Sequence, residues 1–268
     1  MNSKYKMVVF DIDGTLLPFG VTELSQRTKE MFRKLKEAGY INVLCSGRDI
    51  FTVGNQIHNP YVDYFVGANG TFILDLKTNE YIFEEVINYE DFLKFRKYAQ
   101  DHQLAFSFVG NKWGYYNELF DINTWFYYPY KDKFISEKEF EAQDDKNYLI
   151  TISTNKPEEW AKKLNEFFTK NNMNMWVLAT WNSGIFLSAR GITKAVGLNM
   201  LGDILDIKLK EMVAFGDSEN DIEMLKHVGL GVALGNGEDI TKDAADLICL
   251  PVTEDGPYFK LKEMGFYD

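Results

Sequence analysis

The chain has 268 residues, 46% hydrophobic and 26% charged, which suits one large or two smaller globular domains and excludes a wholly disordered chain. Lys and Arg number 29 against 40 Asp and Glu, a formal net charge of −11 that argues against nucleic acid or an anionic membrane surface as partner. No apolar run reaches membrane-spanning length, no secretory leader is expected before Asp11, and Cys45 and Cys249 read as reduced, buried thiols of a cytoplasmic protein.

In chain order, Met7-Val8-Val9-Phe10 predicts a buried strand that ends at Asp11. A helix is expected over 25–38, where Met31, Phe32, Leu35 and Ala38 fall near helical spacing and Gly39 closes it. A strand over 41–45, a short helix over 49–57 and a third strand over 64–66 follow. Beyond the middle of the chain come a helix from about Thr193, a strand over 212–215, a helix from Ser218 and a strand over 230–233. Strands alternating with helices imply a parallel sheet covered on both faces, with ligands bound beyond the carboxyl ends of the strands.

Residues 83–184 differ. They hold all five tryptophans, Trp113, Trp125, Trp160, Trp176 and Trp181. A helix near 89–102, a strand over 149–152 and a helix starting at Pro157 mark an inserted α+β module. The domain expectation is therefore a core of 1–82 and 185–268. The aromatic stretch 120–130 fits the module's own core and surface, or a sugar-stacking platform.

Four short segments carry chemistry. Asp11-Ile12-Asp13-Gly14 follows the first strand, and Gly14 permits a turn that aims two carboxylates at one site. One carboxylate is able to attack phosphorus; the other is able to protonate the leaving oxygen and then deprotonate water. Ser46-Gly47-Arg48 ends the second strand with a hydroxyl, an unobstructed backbone N–H and a guanidinium; Arg48 suits a phosphate or an acidic neighbour equally. Lys194 opens a helix, where an ammonium is able to hold a transferring phosphoryl group. Asp217, Asn220 and Asp221 stand between a strand and a helix, a hard-oxygen set suited to Mg²⁺, with Asp221 able instead to orient Lys194. A phosphate ligand is compatible with the acidic balance, because one metal ion and a few cations reverse the sign locally.

The four segments in this order resemble the haloacid-dehalogenase superfamily, in its Cof-type or type IIB sugar-phosphatase branch. Gly231 to Gly237, Ala245-Asp246 and Glu254-Asp255-Gly256 extend the resemblance to the end of the chain. It implies an α/β fold, a Rossmann-like parallel-sheet core with an inserted α+β cap. It implies Asp11 as nucleophile, Asp13 as general acid and base, Lys194 as the group steadying both nucleophile and phosphoryl, Ser46 as a phosphate-binding hydroxyl, and a strand over 185–188 that carries the chain back to the core. Mg²⁺ would be held by Asp11, Asp217 and the backbone carbonyl of Asp13, with Asp221 and Asn220 completing the neighbourhood. Asn69 in Gly67-Ala68-Asn69-Gly70 matches a family Asn-Gly near the site. Ser188 and Gly237 depart from the family's usual residues.

The expected function is Mg²⁺-dependent hydrolysis of small phosphomonoesters, sugar phosphates foremost, without nucleic acid or membrane partners. A phosphotransferase or phosphomutase would share the same aspartyl phosphate. A receiver-like signalling domain fits less well, given the insert and Asp13, as does a non-catalytic phosphosugar binder. His58, His102 and His227 lie outside all four segments, which argues against a zinc site or a serine triad.

Overall fold

The computed structural model describes residues 4–124, 126–141 and 145–268, so Trp125 lies outside the described residues. The chain forms two compact units. The first takes in the chain up to Arg48, Val53–Phe83 and Thr193–Asp268; the second takes in Asp49–Thr52 and Glu84–Ile192.

Strand β1 (Met7–Phe10) is buried at all four positions, as a strand covered on both faces must be. Helix α1 (Gln26–Glu37) is capped by Ser25, whose side chain accepts from the Thr28 N–H, and it turns Met31, Phe32 and Leu35 inward. Strands β2 (Ile41–Cys45), β3 (Tyr64–Gly67), β4 (Phe72–Asp75) and β5 (Glu80–Glu84) complete this half of the sheet. The helix expected over 49–57 is absent. The Asp49 carboxylate accepts from the backbone N–H groups of Phe51 and Thr52 and from the Thr52 hydroxyl, which fixes a local turn. Such side-chain bonds compete with helix formation, and only a 3₁₀ turn at Gly54–His58 remains.

The second unit contains α2 (Tyr89–Asp101), β6 (Ala105–Val109), β7 (Gly114–Tyr116), β8 (Phe134–Ser136), β9 (Leu149–Ser153), α3 (Pro157–Lys170), β10 (Met175–Trp181) and β11 (Gly184–Ala189). Its six strands run in the order β10-β11-β9-β6-β7-β8. Phe92, Phe95, Phe106, Phe108, Leu164 and Phe168 form its core between helices and sheet. Residues 185–188 thus belong to this sheet, paired antiparallel with both β10 and β9, and do not lead the chain into the other one. Ser188 is buried there, accepting from the Trp176 indole N–H and donating to the Ala189 carbonyl. The first unit resumes at Thr193.

It continues with α4 (Lys194–Leu205), β12 (Met212–Gly216), α5 (Ile222–His227), β13 (Leu230–Ala233), α6 (Asp239–Ala244), β14 (Leu247–Ile248) and α7 (Gly256–Glu263). The eight strands of this unit run β14-β13-β12-β1-β2-β3-β4-β5. β14 through β3 are parallel to one another, and β4 is antiparallel to β3. Met7, Val9, Val43, Val66, Leu198 and Leu201 share one cluster beneath α4. Among the described residues no helix is long and apolar enough to cross a membrane. Parallel pairing brings the carboxyl ends of β1, β2, β3 and β12 to one edge, and Asp11, Ser46, Ala68 and Asp217 each follow one of them directly.

Candidate active site

The turn after β1 is tightly bonded: the N–H groups of Leu16 and Leu17 both reach the Ile12 carbonyl at 2.8 Å. Gly14 sits at φ +77°, and a Cβ there would lie 2.2 Å from Asp217 Oδ2. Both conformation and space therefore require glycine, which lets the backbone press against the carboxylate arriving from β12. Asn236 holds the same turn: its amide N–H donates to the Gly14 carbonyl at 2.8 Å, and its oxygen accepts from the Val252 N–H at 2.7 Å.

Asp11, Asp217 and Asp221 converge, each offering a carboxylate oxygen within 4.8 Å of the others. Lys194 lies among them, 1% exposed. Its ammonium donates to Asp11 Oδ1 and to Asp221 Oδ1, both at 2.6 Å. The first position of a helix is electrostatically poor for a cation, so the two carboxylates offset an unfavourable helix dipole. Helix α4 is brought there by close backbone contact: Gly70 has φ +100°, and a Cβ on it would lie 2.2 Å from the Thr193 carbonyl oxygen. The second oxygen of Asp221 accepts from the N–H groups of Asp217 and Ser218, at 3.0 and 3.1 Å. Asp221 thus both closes the turn after β12 and grips Lys194.

Thr15 is fully buried and donates its hydroxyl to Asp217 Oδ1 at 2.9 Å. Burial, followed by the neighbouring Asp221, pushes the Asp217 carboxyl up to about 7, with Thr15 opposing the rise. Burial also raises Asp11 well above the usual carboxylate range; Asp221 and Asp217 add to this, while Lys194 opposes it. For Lys194 burial alone would lower the pKa, but Asp11 and Asp221 outweigh it and hold the ammonium charged.

Asp13 stands apart from this group. Both its oxygens accept from Arg48, Oδ2 from Nε and Oδ1 from Nη2, each at 2.7 Å. The acidic neighbour that the sequence allows for Arg48 is Asp13. Ser46 is buried; its N–H reaches the Val66 carbonyl and its hydroxyl oxygen accepts from the Arg48 N–H. Gly47 faces Asn69, where a Cβ would lie 3.2 Å from Nδ2. Asn69 is fully buried, its oxygen accepts from the Asn220 amide at 2.8 Å, and its own Nδ2 is a buried donor with no hydrogen-bond partner. Ala68 and Asn69 both take left-handed conformations, at φ 48° and 58°, strain of the kind that collects at functional sites.

All ten residues singled out from sequence therefore lie at this edge of the first sheet or on turns bonded to it. Thr15 and Asn236 escape sequence reasoning. Thr15 had only its place after Asp-Gly as a signal, and Asn236 only its position between two glycines.

A family profile described as haloacid dehalogenase-like hydrolase matches residues 8–259. A 5-amino-6-(5-phospho-D-ribitylamino)uracil phosphatase of Bacillus subtilis is 28% identical over 256 residues, covering 94% of this chain and 92% of that one. A relative from Streptococcus pyogenes, whose name couples a phosphatase with a peptidyl-prolyl cis-trans isomerase, is 27% identical over 99% of this chain, which spans only 55% of its length. Among solved structures, a phosphatase of Bacteroides thetaiotaomicron superposes with TM-score 0.84 at 24% identity, covering 99% of this chain and 97% of that one. A subclass IIB sugar phosphatase superposes with TM-score 0.83, also at 24% identity, covering 97% and 99%. The two-unit α/β architecture is therefore that of a Rossmann-like core carrying an inserted α+β cap. The chain belongs to the haloacid dehalogenase-like hydrolases, in their Cof-type branch, and is an enzyme of the phosphoric monoester hydrolase class.

Proposed function

We propose that the protein is a Mg²⁺-dependent phosphatase of small phosphomonoesters, sugar phosphates foremost, and that it works through a phospho-aspartyl intermediate on Asp11. The observation that carries this reading is the position of Lys194, buried and 2.6 Å from one oxygen each of Asp11 and Asp221, with Asp217 completing the group. Three carboxylates share one ammonium. A phosphate dianion approaching that excess of negative charge would be repelled, so the donor set fits a divalent cation as the missing positive charge. Asp11 and Asp217 are the residues we assign to hold it, with Asp221 as the third carboxylate of the group and the Asp13 carbonyl beside them. When bound, Mg²⁺ would supply charge neutralisation at the phosphoryl oxygens.

In the first step an oxygen of Asp11 attacks phosphorus and the bond from phosphorus to the ester oxygen breaks. Asp13 gives its proton to that leaving oxygen. In the second step Asp13 takes a proton from water as the water oxygen attacks phosphorus, the bond to Asp11 breaks, and inorganic phosphate departs. Lys194 fixes the orientation of Asp11 throughout and stabilises charge on the transferring group. Ser46, the Gly47 N–H and Asn69 are assigned to the phosphate; the unpartnered, buried Nδ2 of Asn69 supports this, because such a donor calls for an acceptor. Asn220 holds Asn69 through its oxygen. Residues 84–192 are assigned as the cap that selects the leaving group, and the relative acting on a ribityl phosphate supports a sugar-like one. Two free, buried cysteines accord with a cytoplasmic location, which belongs to the same proposal.

The test is hydrolysis of p-nitrophenyl phosphate and of a phosphosugar panel, with Mg²⁺ or EDTA, by wild type and Asp11→Asn. Metal-dependent turnover that the variant loses is the expected result. Failure of wild type on every ester would overturn the proposal.

A further inference from the structure

Arg48 was open to two partners on sequence, and its surroundings suit a post better than a ligand trap. The side chain is 6% exposed. Its Nε and Nη2 meet the two oxygens of Asp13 in parallel, both at 2.7 Å. A planar fork bonded twice to a carboxylate fixes both the plane and the reach of that group. The backbone beneath the fork is itself pinned. The Arg48 N–H donates to Ser46 Oγ at 3.2 Å, and its carbonyl accepts from the Ala68 N–H at 2.8 Å. Backbone and guanidinium are thus both held before any substrate arrives.

We infer that Arg48 is the positioning residue for Asp13, setting the place from which Asp13 transfers its proton, and that it does not bind the substrate phosphate. The inference rests on the assignment of Asp13 as acid and base. Displacing a correctly aimed group by about 1 Å costs roughly 100-fold in rate, so losing the fork should be felt where Asp13 must deliver a proton.

The experiment compares two esters in single turnover with enzyme in excess: a sugar phosphate hydrolysed in the panel above, whose alkoxide must be protonated, and p-nitrophenyl phosphate, whose phenolate leaves without a proton. Wild type, Asp13→Asn, Arg48→Ala, Arg48→Lys and the Asp13→Asn/Arg48→Ala pair are measured, with thermal melts as the folding control. Arg48→Ala is expected to slow release from the sugar phosphate about 100-fold and from the aryl ester within about 3-fold, with KM nearly unchanged. The double variant should be no slower than Asp13→Asn alone, because the two residues act as one unit. Arg48→Lys keeps the charge but lacks the fork and should resemble Arg48→Ala; it carries the comparison should the alanine variant not fold. Equal loss on both esters through KM, full rescue by lysine, or additivity with Asp13→Asn would each overturn the inference. If Asp13→Asn itself fails to distinguish the esters, the acid–base assignment of Asp13 falls, and the role of Arg48 falls with it.

Discussion

The hydroxyl of Thr15 donates to Oδ1 of Asp217 at 2.9 Å, joining residues from opposite ends of the first unit. The bond takes one lone pair of a carboxylate assigned to Mg²⁺ and fixes which way the other oxygen points. Partners that orient a metal ligand commonly contribute 10–100-fold in affinity. Thr15→Val, nearly equal in volume, is therefore expected to weaken Mg²⁺ binding by about 10–100-fold, while Thr15→Ser retains it. Calorimetric titration with Mg²⁺ reads this directly, and unchanged affinity in the valine variant would remove Thr15 from the site.

Asp217 also predicts a pH dependence. Its carboxyl is pushed up to about 7, chiefly by burial and then by Asp221. The unfolded chain carries an ordinary carboxyl near 3.8, so between the two values the metal-free folded state binds the extra proton. This group therefore favours folding at pH 5 over pH 8. A cation requires the carboxylate, so metal binding has the opposite trend. Mg²⁺ affinity should fall about tenfold for each pH unit below 7, and the rise in melting temperature on adding Mg²⁺ should be larger at pH 8 than at pH 6. Affinity that stays flat from pH 8 to 5.5 would count against Asp217 as a ligand.

Lys194 is the ammonium on which Asp11 and Asp221 both depend. Lys194→Met leaves two buried carboxylates facing each other without their counter-charge. Removing one partner of a buried ion pair costs about 3–5 kcal/mol, and the variant should lose that much stability as well as turnover. A divalent cation should recover part of the stability through binding to the folded state, without restoring activity. Urea unfolding with and without Mg²⁺ separates the two effects; wild-type stability in the variant would contradict the burial argument.

Much of this site is legible in the sequence because strands of a parallel sheet are buried on both faces. The runs Met7–Phe10 and Met212–Gly216, and Ile41–Cys45 apart from Asn42, announce themselves by their apolar residues, and the first polar residues beyond them are site residues. What depends on distant partners is not legible. A lone lysine opening a helix resembles any surface lysine until the carboxylates beyond β1 and β12 surround it. Thr15 and Asn236 act only through bonds to Asp217, Gly14 and Val252. Residues 185–188 form a strand as the resemblance implies, but the residues of a strand do not say which of two sheets it joins. The missing helix over 49–57 is a local failure of a different kind. Asp49 and Thr52 satisfy each other's backbone and side-chain groups, and this local bonding displaces the helix.

Asp91 supports a prediction for the second unit alone. It lies in the first turn of α2, and its carboxylate accepts from the Asn174 N–H at 2.7 Å, the Asn88 amide at 2.9 Å and Lys94 at 3.2 Å. Burial alone would raise its pKa, but these donors outweigh burial and hold it below the usual value of 3.8. A carboxylate bonded to a part-buried N–H and a cation contributes about 2 kcal/mol, and Asp91→Ala should lose roughly that at neutral pH. The contribution is present in full above 3.8, where the unfolded chain is ionised too, and disappears as pH falls through the lower folded value. The gap between wild type and variant should therefore be constant from pH 7 to about 5 and close below 3.8 as the wild type forfeits the same stabilisation. Tryptophan fluorescence is the suitable probe, since every tryptophan of the chain falls between residues 113 and 181. A gap that widens in acid would mean that the protonated carboxyl, not the carboxylate, is the form the fold prefers.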